Sequence, residues 1–431
     1  MSYLLGLTCL RCNTEYPVRR MFQGCPRCSG DQCSNLTTGY DYGRIAATTS
    51  RDTITTRPHT MWRYREFLPV DPEHIVSIHE GWTPLIHCQR LGAQLGLKHL
   101  YVKEESRNAT WSFKDRMASS AVSMAVAMGA EVIVTSSSGN GGAATAAYAA
   151  KAGLPCVIFT TTQFPGAMRT QMQVYGPMLF TTPTARDRWE MTARCVNDLG
   201  WYPIQNFVEP PVGANPYGID GYKTIGHEVC EQLGWRTPDV FIVPVASGDA
   251  FVGPWIGFNE LLNLGWATGP KPRMIAAEVF GPLKQALASG WDHVEKVAGG
   301  RTVSVSVGGT NSAYQALKTV WDSQGLAETA TDDEVMAMQM ALARAEGIYA
   351  EASSVLTLAV VKKLRERGEV GADDTVVALL TGSGLKDPEV SVDYLPSIPA
   401  ITPTLEDLER GLWEHYGYRP RRFAARTEGN E

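Results

Sequence analysis

The sequence predicts an α/β fold of open, mostly parallel sheets that are flanked by helices. The first observation is that short apolar runs alternate with helical runs from about residue 81 onward, a pattern typical of parallel βαβ units. The second is that three turns rich in Gly and Ser follow predicted strands, at the edge where open α/β sheets bind ligands. The 431 residues also exceed the usual size of one single-core domain, so we expect two large α/β parts.

The predicted strands and helices follow one another in regular order. The strands are short and apolar, and we predict them at 100–102, 131–135, 155–160, 178–181, 240–245, 273–279 and 375–380. We predict the helices at 115–128, 139–152, 166–175, 186–199, 253–264, 313–323, 332–345, 354–367 and 405–416. Strands separated by single helices in this way indicate parallel pairing.

Composition and charge argue against several classes of protein. The net charge of −6 argues against nucleic acid as a main partner. A run of about eighteen apolar residues is absent from the sequence, so we expect no membrane span. The first residues lack the basic region of a secretory signal, and the cysteine count is odd, so we expect a reducing, cytoplasmic setting.

Four cysteines near the N-terminus form a doubled motif. Cys9 and Cys12 make one C-x-x-C knuckle, and Cys25 and Cys28 make a second one. Two such knuckles allow four thiolates to converge tetrahedrally on Zn²⁺, and because all four positions are filled we expect the site to be structural. The alternative is that these are free thiols that only pack.

One lysine, Lys114, lies between an apolar run and a predicted helix of small residues, in the segment Ser112–Arg116. Burying an unpaired ammonium is costly, so a lysine in this position is neutralised, paired or covalently used. A desolvated lysine has a lowered pKa and forms Schiff bases with carbonyls such as the aldehyde of pyridoxal phosphate. We therefore expect the rest of the chain to hold the phosphate, the ring and a substrate carboxylate.

Three loops after predicted strands are candidates for those tasks. The loop at 136–142 has hydroxyls and backbone N–H groups at a helix N-terminus, which suit a substrate α-carboxylate, and Asn140 suits a ring oxygen. The alternative is an ordinary capped turn. The loop at 246–253 suits a phosphate, with the Asp249 side chain turned away from it because like charges repel. Thr381 follows a third strand and suits the ring nitrogen.

The chain resembles the threonine synthase-type enzymes of the tryptophan synthase β-like group, which are pyridoxal-phosphate enzymes of fold type II. The motifs that carry the resemblance follow the family order and are Glu80–Leu85, Ser112–Arg116, Ser137–Asn140, Asn215–Tyr217, Lys223–Thr224, Trp255–Phe258, Glu346–Ile348 and Thr381–Asp387. The lysine motif and the last motif are the most specific of these. Many members of the family also begin with a zinc-ribbon-like segment.

The resemblance implies two open, twisted, mostly parallel sheets, a homodimer and a set of site residues. Lys114 would form the Schiff base and move protons as the catalytic residue. The implied cofactor-binding residues are Phe113, Lys114, Asn140, Ser247, Gly248, Asp249, Ala250, Phe251 and Thr381. The implied substrate-binding residues form a loop that closes a small domain over the substrate, and they are Ser137, Ser138, Gly139, Asn140 and Gly141. Asp115 and Arg116 would form a structural ion pair.

With this resemblance we divide the chain into four parts. Residues 1–43 are the zinc-ribbon-like segment, and 44–80 are an irregular connector. Residues 81–404 are the catalytic region of two α/β subdomains, of which the smaller spans about 118–220. Residues 405–431 are a C-terminal helix and a polar tail.

The chain also departs from the family pattern near the substrate. Trp111 stands where the family commonly has a glycine before Ser-Phe-Lys, and an indole there is expected to crowd or reshape the site. Gly218 stands for the arginine expected to bind the phosphate of O-phosphohomoserine. Asp220 and Tyr222 replace a glutamate and a glutamine, and the loop 246–250 reads Ala-Ser-Gly-Asp-Ala instead of Gly-Asn-Ala-Gly-Asn.

These observations leave three functional hypotheses. The first is a pyridoxal-phosphate lyase or synthase that acts on a small L-amino acid, by default converting O-phospho-L-homoserine and water to L-threonine and phosphate. The second is a paralogue with a different, non-phosphorylated amino-acid substrate and a β-elimination, β-replacement or ammonia-lyase reaction. The third is a non-catalytic protein that uses the zinc ribbon for binding.

Overall fold

The computed structural model of the protein describes residues 2–162 and 165–419. In chain order its strands are β1 (Leu4–Cys9), β2 (Glu15–Tyr16), β3 (Leu36–Tyr40), β4 (Leu85–His87), β5 (His99–Glu104), β6 (Ile133–Ser136), β7 (Cys156–Thr161), β8 (Met178–Thr182), β9 (Tyr202–Pro203), β10 (Val240–Pro244), β11 (Arg273–Glu278), β12 (Leu326–Thr329) and β13 (Thr375–Leu380). These strands form three separate sheets.

The helices fill the intervals between the strands. They are α1 (Tyr42–Thr48), α2 (Arg51–Thr55), α3 (Gln89–Leu95), α4 (Lys114–Ala127), α5 (Asn140–Ala152), α6 (Gly166–Val174), α7 (Ala185–Leu199), α8 (Pro216–Gln232), α9 (Asp249–Asn263), α10 (Pro282–Ser289), α11 (Tyr314–Asp322), α12 (Asp332–Glu346), α13 (Ala352–Glu366), α14 (Glu389–Val392) and α15 (Leu405–Tyr416). Every predicted helix and strand is present, with ends that differ by a few residues.

The largest sheet has the strand order β12-β11-β10-β13-β5-β4, and only the edge strand β4 is antiparallel. Its central strands β10 and β13 are runs of β-branched and apolar residues that are almost fully buried, as expected for strands covered by helices on both faces. Ile242 of β10 lies opposite Ile275 of β11 and Ala378 of β13. This register aligns the carboxyl ends of β10, β13 and β5 along one edge.

The second α/β sheet is smaller and entirely parallel, with the order β8-β7-β6-β9. Helices α5 and α7 contact its strands. The third sheet is the antiparallel β2-β1-β3 ribbon at the N-terminus, which contains the first cysteine knuckle. The prediction of mostly parallel sheets flanked by helices is therefore confirmed.

The structure adds elements that the pattern did not predict. Residues 44–80, expected to be irregular, contain most of α1, all of α2 and 3-10 turns at Met61–Phe67 and Pro72–His74. Helix α8 was not predicted either, although it is the longest helix in the described part of the chain. Strands β4, β9 and β12 and helices α3 and α10 are further additions.

Helix α8 packs very closely against α4 and α9, because glycines lie at the contacts. A Cβ atom on Gly221 would overlap the carbonyl oxygen of Arg116 in α4. On the other side, a Cβ atom on Gly253 of α9 would overlap the Tyr222 side chain. The three helices therefore form one dense layer, and the first residue of that layer in α4 is Lys114.

The structure divides into one compact unit that ends at Val390 and another that begins at Ser391. The second unit contains α15, which Thr404 caps by accepting a hydrogen bond from the backbone N–H of Asp407 at 3.2 Å. The polar tail predicted after this helix lies mostly outside the described residues. The domain boundaries given above remain predictions.

Within the described ranges, every helix is too short or too polar to cross a bilayer.

Candidate active site

The lysine segment and the loop after β13 lie side by side. The backbone N–H of Phe113 donates to the carbonyl of Thr381 at 2.9 Å, and Ser112 forms an isolated antiparallel bridge with Gly382. The N–H of Ser383 donates to the carbonyl of Trp111 at 3.2 Å. Two loops far apart in sequence are thus joined by backbone hydrogen bonds at the carboxyl edge of the large sheet.

The amine of Lys114 lies against aromatic rings rather than beside an acceptor. Its Nζ atom is 4.6 Å from the ring centroid of Phe113 and 5.7 Å from that of Tyr222, and the two rings are stacked at 5.1 Å. No hydrogen-bond acceptor contacts this Nζ atom among the residues that the structure describes. Burial lowers the pKa of Lys114, and the charges of Asp249 and Glu351 oppose that effect in part. This is the desolvated amine that the sequence predicts.

A buried charge cluster fixes the start of α4. The guanidinium of Arg116 donates to Glu105 at 2.7 and 2.8 Å and to Glu228 at 2.6 and 2.8 Å, and Lys103 donates to Glu228 at 2.7 Å. Burial opposes ionisation of Glu228, yet the charges of Arg116 and Lys103 hold its pKa down at about 2. The predicted ion pair between Asp115 and Arg116 is wrong, because adjacent helix residues do not face each other.

Asp115 turns instead to the loop before the lysine. Its carboxylate accepts from the N–H of Thr110 at 3.1 Å and from the Thr110 hydroxyl at 2.9 Å. Burial raises the pKa of Asp115 to about 7. A second buried lysine, Lys386, donates to the carbonyl of Thr110 at 2.8 Å, and burial lowers its pKa to about 8. The edge therefore carries two desolvated amines, of which only Lys386 has a protein acceptor.

Thr381 has a partner that the sequence analysis missed. The hydroxyl of Ser354, near the start of α13, lies 2.8 Å from the hydroxyl of Thr381 and accepts from the backbone N–H groups of Thr381 and Gly382 at 2.9 and 3.0 Å. All of these groups are buried. The Thr381 side chain is thus held in one orientation by neutral groups only.

Asn140 also has an unexpected partner. Its side-chain amide donates to both oxygens of Glu351, at 3.1 and 3.0 Å. Glu351 is 4% exposed, and burial raises its pKa although the bond from Asn140 lowers it in part. Glu351 follows the Glu346–Ile348 motif by three residues, and that proximity is the only sequence signal for it.

The loop after β10 has the shape expected of an anion cup. Gly248 caps α9 with φ +88°, and a Cβ atom there would overlap Ala316, so only glycine fits. Asp249 turns to neighbouring donors, because one oxygen accepts from the N–H of Ala214 and from Gln315, both at 2.7 Å, and the other accepts from Ser247 at 2.6 Å. The remaining predicted members, Ala250 and Phe251, lie buried in the first turn of α9.

The Ser137–Gly141 loop follows β6 in the small sheet. The hydroxyl of Ser137 accepts from the N–H groups of Gly139 and Gly142 at 3.3 and 2.9 Å. These bonds are those of an ordinary capped turn, which is the alternative given above for this loop. The hydroxyl of Ser138 accepts from Thr160 at 2.9 Å. A Cβ atom on Gly141 would overlap the amide of Gln205, so the loop lies tightly on the next segment of chain.

The four N-terminal cysteines converge. Their sulfur atoms all lie within 4.8 Å of one another. The sulfurs of Cys9 and Cys28 are 3.8 Å apart, and those of Cys12 and Cys25 are 3.7 Å apart. Tetrahedral Zn–S bonds of about 2.3 Å place sulfurs about 3.8 Å apart, so this geometry suits one zinc ion.

The comparisons with known proteins agree with this geometry. Residues 76–382 match the family described as "Pyridoxal-phosphate dependent enzyme". The threonine synthase of Methanocaldococcus jannaschii is 34% identical over 390 residues, which cover 89% of this chain and 93% of that protein. The threonine synthase of Methanosarcina acetivorans is 32% identical over 411 residues, which cover 94% and 98%. The chain belongs to the threonine synthase-like pyridoxal-phosphate-dependent enzymes.

Solved structures show the same fold at lower identity. The processed form of threonine deaminase isoform 2 from Solanum lycopersicum aligns with a TM-score of 0.62 and 19% identity over 78% of this chain and 95% of that chain. Maize serine racemase aligns with a TM-score of 0.60 and 21% identity over 70% and 88%. The fold type II prediction is confirmed.

The site of this threonine synthase-like enzyme fits a bound pyridoxal phosphate. Buried polar atoms of the lysine segment, of the 137–141 loop and of α8 have no hydrogen-bond partner among the described residues, and they include Ser112 Oγ, Asn140 Oδ1 and Tyr222 OH. Buried polar groups in native proteins are normally paired, so such a cluster indicates that a polar ligand supplies the partners. The carboxyl edge of the large sheet carries a loop that suits an anion, a neutral hydroxyl and a desolvated amine. These three groups match the phosphate, the ring nitrogen and the aldehyde of that cofactor.

The departures from the threonine synthase-like pattern have clear structural effects. Asp220 accepts from Thr38 at 2.6 Å and from Tyr40 at 2.5 Å, so it binds β3 of the N-terminal ribbon. A Cβ atom on Gly218 would lie 3.0 Å from Met117 and 3.2 Å from Ala121, both in α4. The dense contact between α8 and α4 therefore occupies the space into which an arginine at 218 would begin to extend.

Trp111 has a backbone conformation that favours glycine, the residue common at this position in the family pattern. Its φ is +66°, in the left-handed region, and its side chain is 51% exposed. Since half of the residue faces solvent, the indole does not fill the site as expected, and the main consequence of Trp111 is its backbone conformation. A positive φ at a bulky residue is strained and persists where the surrounding structure imposes it.

This strain predicts the order of stability of two variants at position 111. Trp111→Gly and Trp111→Ala both remove the indole, but only glycine adopts a positive φ without cost. We expect Trp111→Gly to have the larger free energy of unfolding, by about 0.5–1 kcal/mol, because the left-handed penalty of alanine exceeds the entropy that glycine loses on folding. Urea denaturation of the two variants measures this difference. An alanine variant as stable as the glycine variant would contradict the strain described.

Proposed function

We propose that the protein removes the α-proton of a small L-amino acid and eliminates or replaces a group at the β or γ carbon. The single observation that carries this proposal is the desolvated amine of Lys114 beside the Thr381 loop, at the carboxyl edge of the large sheet. Bound pyridoxal phosphate would supply the electron sink for the carbanion. The protein supplies the remaining binding, orientation and proton transfer.

Lys114 is proposed as the catalytic residue. Burial favours its neutral form, which is the form that attacks an aldehyde and later accepts a proton. Its Nζ atom lies 4.6 Å from the ring centroid of Phe113 and 5.7 Å from that of Tyr222, so apolar surface borders the amine. Since no acceptor in the described ranges holds the amine, it would be free to move a proton at the α-carbon of the substrate.

Thr381 and Asn140 are proposed to orient the ring of the cofactor. The hydroxyl of Thr381 lies 2.8 Å from the neutral hydroxyl of Ser354, so a ring nitrogen beside it meets a neutral group and stays largely unprotonated. Glu351 accepts from Asn140 and fixes the direction of its amide, which leaves the orphaned Oδ1 atom pointing to a further partner. Residues 246–251 are proposed to hold the phosphate, and 137–141 the α-carboxylate of the substrate.

The default substrate is O-phospho-L-homoserine, which gives L-threonine and phosphate. The threonine synthases that match this chain at 32–34% identity over most of its length support it. Gly218 favours the second candidate, a different amino acid without the phosphate, because glycine supplies no cation at this position and a Cβ atom there would lie only 3.0 Å from Met117. A cytoplasmic homodimer stays a prediction from the cysteine usage and the family resemblance.

Spectroscopy and phosphate release test the proposal together. The reconstituted protein is expected to show the absorbance band at roughly 410–420 nm that reports a lysine Schiff base, and to release phosphate from O-phospho-L-homoserine. Lys114→Ala is expected to lose both signals. Lys151→Ala changes an exposed lysine on α5 and serves as the matched control, with both signals retained.

The possible outcomes separate the hypotheses. A band that survives in Lys114→Ala would defeat the assignment of the catalytic lysine. A lysine-dependent band without phosphate release would exclude the default substrate and leave the second candidate. The absence of any band in the wild-type protein would favour a non-catalytic binding protein.

We also propose that the four converged cysteines bind one structural zinc ion. Tyr16 and Thr14 place hydroxyls 3.2 Å from the sulfurs of Cys25 and Cys12, and the N–H groups of residues 11 and 12 lie 3.4 Å from the sulfur of Cys9. Hydrogen bonds of this kind to the sulfur atoms are typical of thiolates bound to zinc. The ion would fix a ribbon whose own hydrophobic core is small.

Removing two ligands is expected to lower stability and leave the cofactor chemistry in place. The double variant Cys9→Ser with Cys12→Ser should lose one equivalent of zinc by elemental analysis and melt at a lower temperature, because structural zinc contributes directly to folding. Its band near roughly 410–420 nm should remain. Cys33→Ser is the control and should keep the zinc. Zinc retention by the double variant would refute the assignment.

A further inference from the structure

A series of buried hydrogen bonds joins the N-terminal ribbon to the loop proposed to hold the cofactor phosphate. The side chain of Asn35, just before β3, donates through Nδ2 to the Oε1 atom of Gln315 at 3.1 Å. Gln315, in the first turn of α11, donates through Nε2 to the Oδ1 atom of Asp249 at 2.7 Å. All three side chains are buried. The ribbon therefore reaches the first residue of α9 through two side-chain amides.

Backbone groups set the direction of these hydrogen bonds. The Oδ1 atom of Asn35 accepts from the N–H of Leu36 at 2.9 Å, and its Nδ2 atom donates to the carbonyl of Ala214 at 3.1 Å. An N–H group only donates and a carbonyl oxygen only accepts, so the Asn35 amide has one favourable orientation. Its Nδ2 atom then requires an acceptor on Gln315, and this turns the donor of the Gln315 amide toward Asp249.

Gly213 allows the two amides to pack together. A Cβ atom on this residue would overlap the side-chain amides of both Gln315 and Asn35. Its φ of +120° also lies in the region that favours glycine. The next residue, Ala214, accepts from Asn35 and donates to Asp249, which closes a ring of hydrogen bonds that runs through Gln315.

This ring of hydrogen bonds fixes the charge of Asp249. A carboxylate beside a phosphate repels it, and Asp249 belongs to the loop that suits that anion. Its Oδ1 atom accepts from Gln315 and from the N–H of Ala214, and its Oδ2 atom accepts from Ser247 at 2.6 Å. These bonds compensate a buried charge and hold it in one orientation. Without the bond from Gln315, the carboxylate would lose a donor and would be free to turn toward the anion.

We propose that Asn35 and Gln315 are positioning residues for the cofactor phosphate, so that the N-terminal ribbon completes the cofactor site. This inference rests on the proposed function, in which residues 246–251 hold the phosphate. Gln315 acts through Asp249, and Asn35 acts through Gln315. The ribbon then takes part in cofactor binding in addition to binding its own zinc ion.

Pyridoxal phosphate and pyridoxal differ only in the phosphate group and therefore test the proposal. Their dissociation constants are measured by titrating the cofactor-free full chain and following the Schiff-base band, for the wild type, Gln315→Met and Asn35→Leu. Both substitutions keep the net charge and the approximate size of the side chain. We expect the affinity for pyridoxal phosphate to fall about 10- to 100-fold in Gln315→Met and about 2- to 10-fold in Asn35→Leu. The affinity for pyridoxal should stay nearly unchanged.

Arg20→Ala is the matched control for the ribbon. Arg20 is exposed and donates to the carbonyls of Met128 and Gly200 at 2.9 and 3.1 Å, so this change removes other contacts of the N-terminal segment. We expect it to keep the wild-type affinity for both ligands. The double variant Asn35→Leu with Gln315→Met should bind pyridoxal phosphate as weakly as Gln315→Met alone, because Asn35 acts through Gln315.

Other results would overturn the proposal. Equal weakening of both ligands would mean that the two amides only support the fold, and unchanged affinities in Gln315→Met would mean that Asp249 keeps its orientation without that bond. A loss of phosphate selectivity in Arg20→Ala would assign the effect to any loosening of the ribbon. Additive losses in the double variant would show that Asn35 and Gln315 act separately. If Asn35→Leu folds poorly and binds neither ligand, Gln315→Met alone decides the question. A wild-type protein that forms no Schiff-base band with either ligand would instead refute the proposed function itself.

Discussion

The buried ion cluster around Arg116 is the constraint on which the active site depends. Its guanidinium joins Glu105, just after β5, to Glu228 on α8, and Lys103 shares Glu228. Arg116 follows Lys114 by two residues, so the same bonds fix the first turn of α4 and the direction of the lysine. Removing one partner from a buried pair costs about 3–5 kcal/mol, because the other charge is left uncompensated. Glycines allow α4, α8 and α9 to approach closely enough for these bonds to form.

The same dense packing affects the cofactor end and the substrate end of the proposed site differently. The large sheet brings the lysine, the Thr381 loop and the anion cup to the ends of adjacent strands, and orphaned polar atoms remain there for a ligand. Gly218 lies where the family pattern has an arginine, and its close contact with α4 leaves little space for a larger side chain. The chain therefore keeps the residues proposed to hold the cofactor, while it lacks the arginine of the family pattern at 218.

The central strands and the three loops could be predicted because β-branched runs and Gly/Ser turns are local signals. Helix α8 could not, because its polar residues are buried with the rest of the helix instead of facing solvent, and its glycines weaken the helical pattern. Adjacent opposite charges suggested a pair between Asp115 and Arg116, but helix geometry directs them apart. Glu351 and Ser354 were missed because each acts through a contact with a residue that is distant in sequence, Asn140 and Thr381 respectively, and the sequence does not show such contacts.

We propose that Lys114, and no other lysine, carries the cofactor. Borohydride reduction of the reconstituted protein, followed by proteolysis and mass spectrometry, locates the pyridoxyl group directly. We expect one label per chain, on the peptide that contains Lys114. A label on Lys386, the second desolvated amine at the same edge, would contradict this assignment, and so would a reduced protein without any label.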